Sequence, residues 1–418
     1  MNIQQIANLI NIQISDQPEK DVLDDLERRP DRFTNDGECI KGKVLSHPLN
    51  ASIILDSDSR MMNRFSYNEF NDQIYVLDRA LEDQDITETT LWMHRVYGVR
   101  IGKDPALDLI VRQAKINTFH PLRDYLDNLP AWDGEIRLDD LLQRYWGVRD
   151  TPLLCEIGKR WAISCIARAL ESGCKVDTVL ILCGPQGCLK STSFRVLAGE
   201  SWFSDSHLDI SKKEAYELIH QSGVWLWEMA EIMTLQRANN ENQKMFLSAS
   251  SDRYRPSYGR CPVQRGRSVV FVGTTNEATF LTDGTGNRRY WPVNVGNIDL
   301  EAIQRDRDQI WAEALFMYSQ NENWWLDVDQ DVELIEYQKT FVVEDPWFVA
   351  VEECIDCYQN GFIVQDVFER LQLPEHRQTK KDIKRVNNIC RGLGLRRERL
   401  SRPLSHRPSI NRPRVWLC

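Results

Sequence analysis

The sequence predicts an α/β protein with a parallel sheet at its centre, preceded by a mostly helical region and followed by a small winged-helix-like domain. Continuous apolar runs lie at 176–183, 224–232 and 268–277. Such runs are typical of central strands in a parallel sheet that helices cover on both faces. A glycine-rich loop joins the first run to a helix, which is the context that phosphate-binding loops require.

The composition is that of a folded protein, with 418 residues of which 42% are hydrophobic and 27% are charged. No segment approaches the roughly 20 uninterrupted apolar residues of a membrane helix, and the first residues lack the features of a secretory signal. We therefore expect a cytoplasmic protein without a membrane partner. The 11 cysteines are scattered, which indicates reduced thiols. Packing on one helix face explains Cys354 and Cys357 better than zinc, because structural zinc normally takes four ligands.

Four regions are predicted along the chain. The first carries DVLDDLERR, patterned as a short amphipathic helix, and the second begins with strands around a turn in ASIILDSDSRMMNRFSYNEFNDQIYVL. Two helices follow, DITETTLWMHRVYGV and DPALDLIVRQAKI, the second with Asp104 as its N-cap, and Thr151 caps a longer helix. The regions are 1–47, an N-terminal helical segment; 48–150, a collar-like lead-in region; 151–325, the phosphate-loop domain; and 342–418, a basic winged-helix-like domain.

The loop GPQGCLKS is close to the phosphate-binding pattern G-x-x-x-x-G-K-[ST]. Lys190 is expected to reach the β- and γ-phosphates of a nucleotide, and the hydroxyl of Ser191 to ligate Mg²⁺. Leu189 stands where the pattern has glycine, which requires a helical or extended backbone there and a side chain that points away. The residues predicted to bind the nucleotide are Gly184, Pro185, Gln186, Gly187, Cys188, Leu189, Lys190, Ser191 and Thr192.

Polar residues accompany the later apolar runs in the order of an ATPase site. Glu228 is expected to hold Mg²⁺ through its water shell, and Glu231 to polarise the attacking water. Asn276 ends the next run, where its amide can orient water or contact the γ-phosphate, although an asparagine there is commonly a turn former. Arg288 and Arg289 lie in DGTGNRRYWPV, where an arginine can stabilise charge on a transferring phosphoryl group. A surface turn is the alternative.

The insertion SSDRYRPSYGRCPVQRGR alternates basic and aromatic residues around a turn at 256–259. Arginines bind phosphates and tyrosines stack on bases in single-strand-binding surfaces. The hairpin is therefore predicted to contact DNA, with a solvated hairpin as the alternative. The predicted contacts are Arg253, Tyr254, Arg255, Tyr258 and Arg260.

Charge is distributed unevenly along the chain. From Arg377 to Cys418, thirteen Lys or Arg residues stand against two acids, so the rest of the chain is near −21 to give the formal net charge of −10. An acidic body with a basic end predicts DNA contact at that end. The helix in QTKKDIKRVNNICRGLG is expected to present Lys381, Lys384 and Arg385, with a solvated helical cap as the alternative.

Nine phrases in chain order carry a family resemblance: HPLRDYL, WDG, GCKVD, GPQG..KST, WFSDS, WLWEMAEI, DRYRPSYGR, VFVGTTNE and GNRRYWPV. The run from about Phe119 to Val295 resembles the virulence-associated E family of phage and mobile-element proteins. This family is related to the superfamily 3 replicative helicases of the AAA+ class. So many phrases in order make the resemblance specific, whereas the stretch from Asn50 to Ile116 resembles the family's lead-in region more loosely.

The resemblance implies a P-loop AAA+ core that works as a ring-shaped, ATP-driven motor with its active sites between subunits. ATP and Mg²⁺ are the implied cofactors, and single-stranded or forked DNA is the implied partner. The ring is expected to be a hexamer, although the sequence does not fix its size. Replication initiator or host replication proteins are further candidate partners.

Residue roles follow from the same resemblance. The positions that match the family's site are Lys190 and Ser191 for Walker A, Glu228 and Glu231 for Walker B, and Asn276 for the sensor. The hairpin that enters the pore maps to 252–260, and the arginine finger to Arg288 or Arg289, between which the sequence does not choose. Leu189 departs from the common motif and is expected to change nucleotide affinity, not nucleotide use.

Three functions compete. The first is an ATP-dependent DNA helicase or translocase for the replication of a phage or mobile genetic element. The second is a DNA-binding assembly or initiator factor whose ATPase only switches conformation. The third is a small-molecule kinase, which would need a compact acceptor site and a lid, and in which the Arg/Tyr hairpin would have no purpose.

Overall fold

The computed structural model describes residues 17–230, 240–281, 287–343 and 345–417. The chain divides into two compact units, 1–276 with 293–330 and 277–292 with 331–418. Among the described residues, none of the helices combines the length and the apolar character that crossing a membrane requires.

The part of the first unit before Pro121 covers the predicted N-terminal segment and most of the predicted lead-in region, and it mixes short strands with helices. Its elements are α1 Lys20–Asp25, β1 Arg32–Phe33, β2 Cys39–Ile40, α2 Pro48–Ser57, β3 Phe65–Asn68, β4 Gln73–Val76, β5 Arg79–Ala80, α3 Asp83–Tyr97, α4 Lys103–Ala114 and β6 Thr118–Phe119. A four-stranded sheet has the order β5–β4–β3–β6, in which β3 and β4 form an antiparallel hairpin. Apolar side chains from the sheet and from α2, α3 and α4 share one core that includes Ile54, Met93 and Ile110.

Most of the helices and strands predicted for this part of the chain are confirmed, and two predictions are wrong. The helices α1, α3 and α4 and the β3–β4 hairpin lie where predicted. The segment before the hairpin is the helix α2 and not a strand: it begins at Pro48, and Ala51, Ile54 and Leu55 are buried at helical spacing. Asp104 does not cap α4, because the helix begins one residue earlier and its N-cap is Gly102.

The rest of the first unit surrounds a five-stranded sheet of order β13–β7–β12–β9–β8, built from the elements given next. They are α5 Pro121–Asp127, α6 Leu141–Trp146, α7 Pro152–Leu170, β7 Val179–Cys183, α8 Lys190–Ala198, β8 Phe203–Ser204, α9 Glu214–Gln221, β9 Leu226–Ala230, α10 Asn240–Ser248, β10 Ser251–Tyr254, β11 Val263–Gly266, β12 Val270–Thr275, β13 Tyr290–Asn294 and α11 Leu300–Ser319. Two boundaries between the units fall within β13 and within the next helix, α12 Val328–Gln338. Strand β12 is parallel to β7 and to β9, and β9 is parallel to β8. All residues of β7 and β12 are buried. This confirms the predicted parallel sheet, and the carboxyl ends of β7, β9 and β12 lie along one edge.

An aromatic layer fixes the helices on this sheet. The long helix α7 begins where predicted, since the Thr151 side chain accepts a hydrogen bond from the N–H of Leu154 at 3.3 Å. The ring centroid of Trp311 on α11 lies 4.4 Å from that of Trp225 and 6.5 Å from that of Trp161 on α7. The two helices and the start of β9 are therefore packed into one core, which holds the sheet edge in place.

The second unit contains three helices followed by an antiparallel hairpin. Its elements include α13 Phe348–Cys357, α14 Val364–Arg370, α15 Lys380–Gly392, β14 Arg396–Arg399 and β15 Arg414–Leu417. Strands β14 and β15 pair antiparallel, and Phe362 bridges to Trp416 of β15. Val351, Phe368 and Trp416 belong to a core that all three helices share. Cys354 is buried in this core, whereas Cys357 is exposed, so packing accounts for only the first of these cysteines.

Candidate functional site

The loop at 184–189 joins the carboxyl end of β7 to the first turn of α8. A Cβ at Gly184 would lie 2.8 Å from Cγ2 of Val295, so this close approach requires glycine. Gly187 has a φ of +83°, which glycine adopts without steric cost. The backbone N–H groups of 186–189 donate no hydrogen bond to other described residues. They are therefore able to bind an anion at the start of the helix.

Leu189 has a left-handed backbone, with φ 66° and ψ 22°, so the expectation of a helical or extended backbone is wrong. This conformation costs about 1–2 kcal/mol for a residue with a Cβ. The side chain is 47% exposed. The loop therefore keeps, with leucine, the backbone conformation that glycine favours.

Lys190 is the first residue of α8 and is only 7% exposed. Its ammonium donates hydrogen bonds to the backbone oxygens of Gly184 and Pro185, both at 2.8 Å, and to Oδ1 of Asn276 at 2.9 Å. Sγ of Cys188 lies 3.5 Å from the same nitrogen. The lysine thus links the loop to the end of β12, as the order of the motifs predicts.

Glu228 is the third residue of β9 and 2% exposed, so it lies within the strand and not at the end of it. Oε1 of Glu228 accepts hydrogen bonds from the hydroxyl of Ser191, at 2.7 Å, and from the hydroxyl of Thr274. Oε2 is buried and has no hydrogen-bond partner among the described residues. A buried carboxylate oxygen without a partner is costly, so a cation or a water molecule at this atom would stabilise the site.

The arrangement fits a nucleotide with Mg²⁺. Magnesium takes hard oxygen ligands and commonly keeps several of its waters, and the hydroxyl of Ser191 and the Oε2 of Glu228 are such oxygens. The unpaired N–H groups of the loop and the ammonium of Lys190 supply the positive field that phosphate groups require. The residue types and their placement therefore match the group that the motif implies.

The other predicted residues of the nucleotide site lie in several parts of the chain. Thr192 is exposed in the first turn of α8, and the amide oxygen of Asn276 contacts the loop lysine. Glu231 lies outside the described residues. Arg288 and Arg289 lie on a short 3-10 turn directly before β13, within the second unit, and their role stays a prediction.

The hairpin of β10 and β11 separates its side chains into two faces. Along β10, Asp252 and Tyr254 are buried and Arg253 is exposed, because successive side chains of a strand point to opposite faces. The ring of Tyr254 stacks on His220 with centroids 4.7 Å apart, and its hydroxyl donates to Asp72. Tyr254 is inside the protein, so the prediction that it stacks on a base is wrong.

A charged cluster holds the base of the hairpin. Arg267 is fully buried and contacts both carboxylate oxygens of Asp252, at 2.7 and 2.8 Å, while Nε2 of His220 lies 3.1 Å from the same carboxylate. Although burial raises the pKa of Asp252, the hydrogen bonds from His220 and Arg267 outweigh it and hold that pKa below its usual value. Arg265 of β11 forms an ion pair with Asp72 of the lead-in region. These pairs anchor β10 and β11 to the body of the unit.

The outward face of the hairpin carries three of the predicted contacts, all of them arginines. Arg253 and Arg255 are exposed. Arg260 is also exposed and forms an ion pair with Asp108 at 3.2 Å. Tyr258 is half-buried and packs against the core of the lead-in region. Arginines, and not tyrosines, are therefore what this face offers to a ligand.

In the second unit, Lys381 and Lys384 are exposed on α15. Arg385 is different, because its Nη2 lies 2.7 Å from Oδ1 of Asp345 and its guanidinium lies 4.3 Å from the ring centroid of Trp347. The hydrogen bond to Asp345 raises the pKa of Arg385. These contacts tie Arg385 to its own unit while its side chain stays 40% exposed, so its contact with DNA stays a prediction.

The chain belongs to the virulence-associated protein E-like domain family, whose model matches residues 126–343. The match confirms the resemblance drawn from the motifs and extends it beyond Val295. Among solved structures, the chain is similar to the apo structure of the NrS-1 C-terminal region, with 11% identity over 84% of this chain and 95% of that chain and a TM-score of 0.44. The A form of the same apo region matches with 11% identity over 84% and 96% of the two chains and a TM-score of 0.43. No curated protein matches the chain.

Proposed function

We propose that this protein is an ATP-dependent DNA helicase or translocase that serves the replication of a phage or mobile genetic element. The observation that carries the proposal is a pair of contacts at one sheet edge, Lys190 with Asn276 and Ser191 with Glu228. They unite a cation, an amide, a hydroxyl and a carboxylate from separate segments, which is the set that P-loop ATPases use. Family membership and the exposed arginines of the hairpin support the extension from ATP to DNA.

In this proposal, the N–H groups of the loop and the ammonium of Lys190 bind the β- and γ-phosphates. Lys190 exchanges neutral carbonyl acceptors for charged phosphate oxygens, and such charge-assisted hydrogen bonds are the stronger ones. Ser191 and Glu228 hold Mg²⁺, which when bound neutralises negative charge on the phosphates. Asn276 orients the nucleotide or the attacking water, and Glu231 polarises that water.

DNA is assigned to two exposed surfaces. The first is the outward face of the hairpin, where Arg253, Arg255 and Arg260 are exposed and suit the phosphate backbone of a single strand. The second is α15, where Lys381 and Lys384 are exposed. Three helices followed by an antiparallel hairpin is the order of a winged-helix domain, in which the third helix commonly contacts DNA. Both surfaces act mainly through charge, so salt should weaken binding.

The assembly part of the proposal rests on the family resemblance. The first unit is then a P-loop AAA+ core of the superfamily 3 kind, and Arg288 or Arg289 completes the site of a neighbouring subunit in a ring, expected to be a hexamer. An arginine supplied from a neighbour stabilises the charge that develops on the transferring phosphoryl group, and this is worth on the order of 10³ in rate.

ATP hydrolysis and strand separation by the full chain test the proposal. Lys190→Ala should lower hydrolysis by about 10²–10³-fold, because it removes a preorganised charge from the reacting phosphates. Lys212→Ala is the control, since Lys212 is an exposed lysine paired with Asp209 at 3.4 Å, and it should behave like the wild type. Forked DNA should stimulate hydrolysis by the wild type, and ATP should drive its unwinding.

The other possible results of the hydrolysis and strand-separation assays would support a different function. Stimulation by DNA without any strand separation would favour an assembly or initiator factor whose ATPase is a switch. Hydrolysis that DNA leaves unchanged would contradict both DNA functions and favour a kinase-like enzyme. Equal hydrolysis by Lys190→Ala and the wild type would overturn the assignment of the nucleotide site itself.

A further inference from the structure

Two hydroxyl groups meet at one oxygen of Glu228. Ser191, at the start of α8, and Thr274, on β12, both donate to Oε1. Oε2 of the same carboxylate is buried and has no partner in the described part of the chain. One oxygen is thus occupied by protein donors, and the other is left for a ligand that the protein itself does not supply.

The register of the sheet explains why Thr274 reaches this carboxylate. Glu228 on β9 lies opposite Val272 on β12. Thr274 is two residues further along β12 and therefore on the same face of the sheet. Strand β12 pairs with β7 on one side and with β9 on the other, so its backbone is fixed by both neighbours. The backbone that carries the hydroxyl of Thr274 is consequently held by the sheet on both sides, whereas the backbone of Ser191 comes directly after the loop, at the start of α8.

We propose that Thr274 is a positioning residue for metal binding, whose hydroxyl holds Oε1 of Glu228 so that Oε2 stays available to the water shell of Mg²⁺. The inference rests on the proposed function, because it requires that Glu228 serves a nucleotide-bound ion. Ser191 alone is a weaker anchor, since its hydroxyl is itself an expected ligand of the ion. Partners behind a ligand orient it, and their loss typically costs about 10–100-fold in metal affinity.

Three variants of the full chain test this role. Thr274→Val removes the hydroxyl and keeps the shape of the side chain, and Thr274→Ser restores a hydroxyl. Thr89→Val is the matched control, because Thr89 is a buried threonine on α3 whose hydroxyl donates to the backbone oxygen of Asp85 at 2.7 Å. The measurements are Mn²⁺ affinity by electron paramagnetic resonance with a non-hydrolysable ATP analogue, the Mg²⁺ midpoint of hydrolysis, and analogue affinity in a chelator.

Thr274→Val should raise the Kd for Mn²⁺ and the Mg²⁺ midpoint by about 10–100-fold. Its affinity for the analogue without metal should not change, which separates positioning of a ligand from general damage to the site. Thr274→Ser and Thr89→Val should resemble the wild type. If Thr274→Val does not fold, Thr274→Ala provides the second hydroxyl deletion, with circular dichroism as the check.

Equal Mn²⁺ affinities in the wild type and a folded hydroxyl deletion would overturn the inference and leave the proposed function standing. A loss as large in Thr274→Ser as in Thr274→Val would overturn it as well, because the hydroxyl would not be the cause. If the wild type neither binds Mn²⁺ with the analogue nor hydrolyses ATP, the proposed function fails and this inference fails with it.

Discussion

The loop at 184–189 with its neighbours and the base of the hairpin both bury charged side chains, but they differ in what those charges contact. At the base of the hairpin, Arg267 and Asp252 are both buried and neutralise each other through two hydrogen bonds. At the loop, the cation of Lys190 contacts neutral oxygens and a thiol, and the anion of Glu228 contacts two neutral hydroxyls. One region pairs its charges internally, and the other holds two charges that have no ionic partner among the residues that the structure describes.

Buried charges that pair with each other and buried charges that do not are expected to have different roles. A buried ion pair that is complete leaves nothing for a ligand to satisfy, and removing one member strands the other. A buried charge without an ionic partner is costly unless something binds it, and such groups are typical of functional sites. The loop is therefore the candidate site for a ligand, and the cluster at the base of the hairpin is the support that carries the exposed arginines.

The largest expected effect that tests this comparison lies at the base of the hairpin. Asp252→Ala leaves the guanidinium of Arg267 buried without its carboxylate, and breaking a buried pair in this way costs about 3–5 kcal/mol. The free energy of unfolding, measured in urea, should fall by that amount. Asp108→Ala is the control, because it removes the partner of Arg260 in a pair whose side chains are 76% and 61% exposed, and it should unfold like the wild type.

The pH dependence of Asp252→Ala sharpens the same test. The hydrogen bonds from His220 and Arg267 hold the pKa of Asp252 below its usual value. A carboxylate with a lowered pKa stabilises the fold above its unfolded pKa, about 3.9, and this contribution is lost as the pH falls through the folded value. The stability gap between the wild type and Asp252→Ala should therefore be constant at neutral pH and shrink below about pH 4. A gap that stays constant as the pH falls below about 4 would contradict an ionised pair.

An intermediate effect is expected on the outward face of the hairpin. Replacing Arg253 and Arg255 together by alanine removes two exposed cations while the buried base stays intact. The slope of log K against log[salt] for single-stranded DNA should decrease by about 1.4, since each phosphate contact on a single strand contributes about 0.7. Tyr254→Phe is the control, because it changes only a buried hydroxyl that donates to Asp72. An unchanged slope in the double variant would remove DNA from this face.

Much of the fold could be predicted because long apolar runs and caps are local signals. The strands β7 and β12, which lie within two of these runs, are buried throughout, and Thr151 caps its helix as expected. The helix α2 departs from the predicted strand because the apolar residues of ASIIL form only a short run, which periodicity alone cannot assign to a strand or a helix. The available signal was Pro48, which suits the first turn of a helix.

The candidate site could be predicted only where chain order was enough. Lys190 and Asn276 meet because both lie at the carboxyl edge of a parallel sheet. Thr274 was not found, because its contact with Glu228 depends on the register of two strands that only the packed sheet sets. Tyr254 was assigned wrongly although the alternation of buried and exposed side chains in a strand was available as a signal. Its partner is 182 residues away in the sequence, which no local pattern reveals.

The smallest expected effect lies at the loop itself, where Leu189→Gly should stabilise the protein and preserve ATP hydrolysis. Leu189 has a φ of 66° and Leu77 a φ of 58°, and the two side chains are 47% and 53% exposed, so Leu77→Gly is a matched control outside the site. Relief of the left-handed strain, about 1–2 kcal/mol, is partly offset by the greater freedom of glycine in the unfolded chain, about 0.4–1 kcal/mol. The free energy of unfolding of both variants, measured by heat or urea, should therefore rise by up to about 1.5 kcal/mol. Nucleotide affinity should rise or stay equal in Leu189→Gly, because glycine is the residue of the common pattern, and it should be unchanged in Leu77→Gly. If Leu189→Gly loses hydrolysis while Leu77→Gly gains stability as expected, the leucine side chain itself takes part in the site, and the loop binds its nucleotide differently from the pattern it resembles.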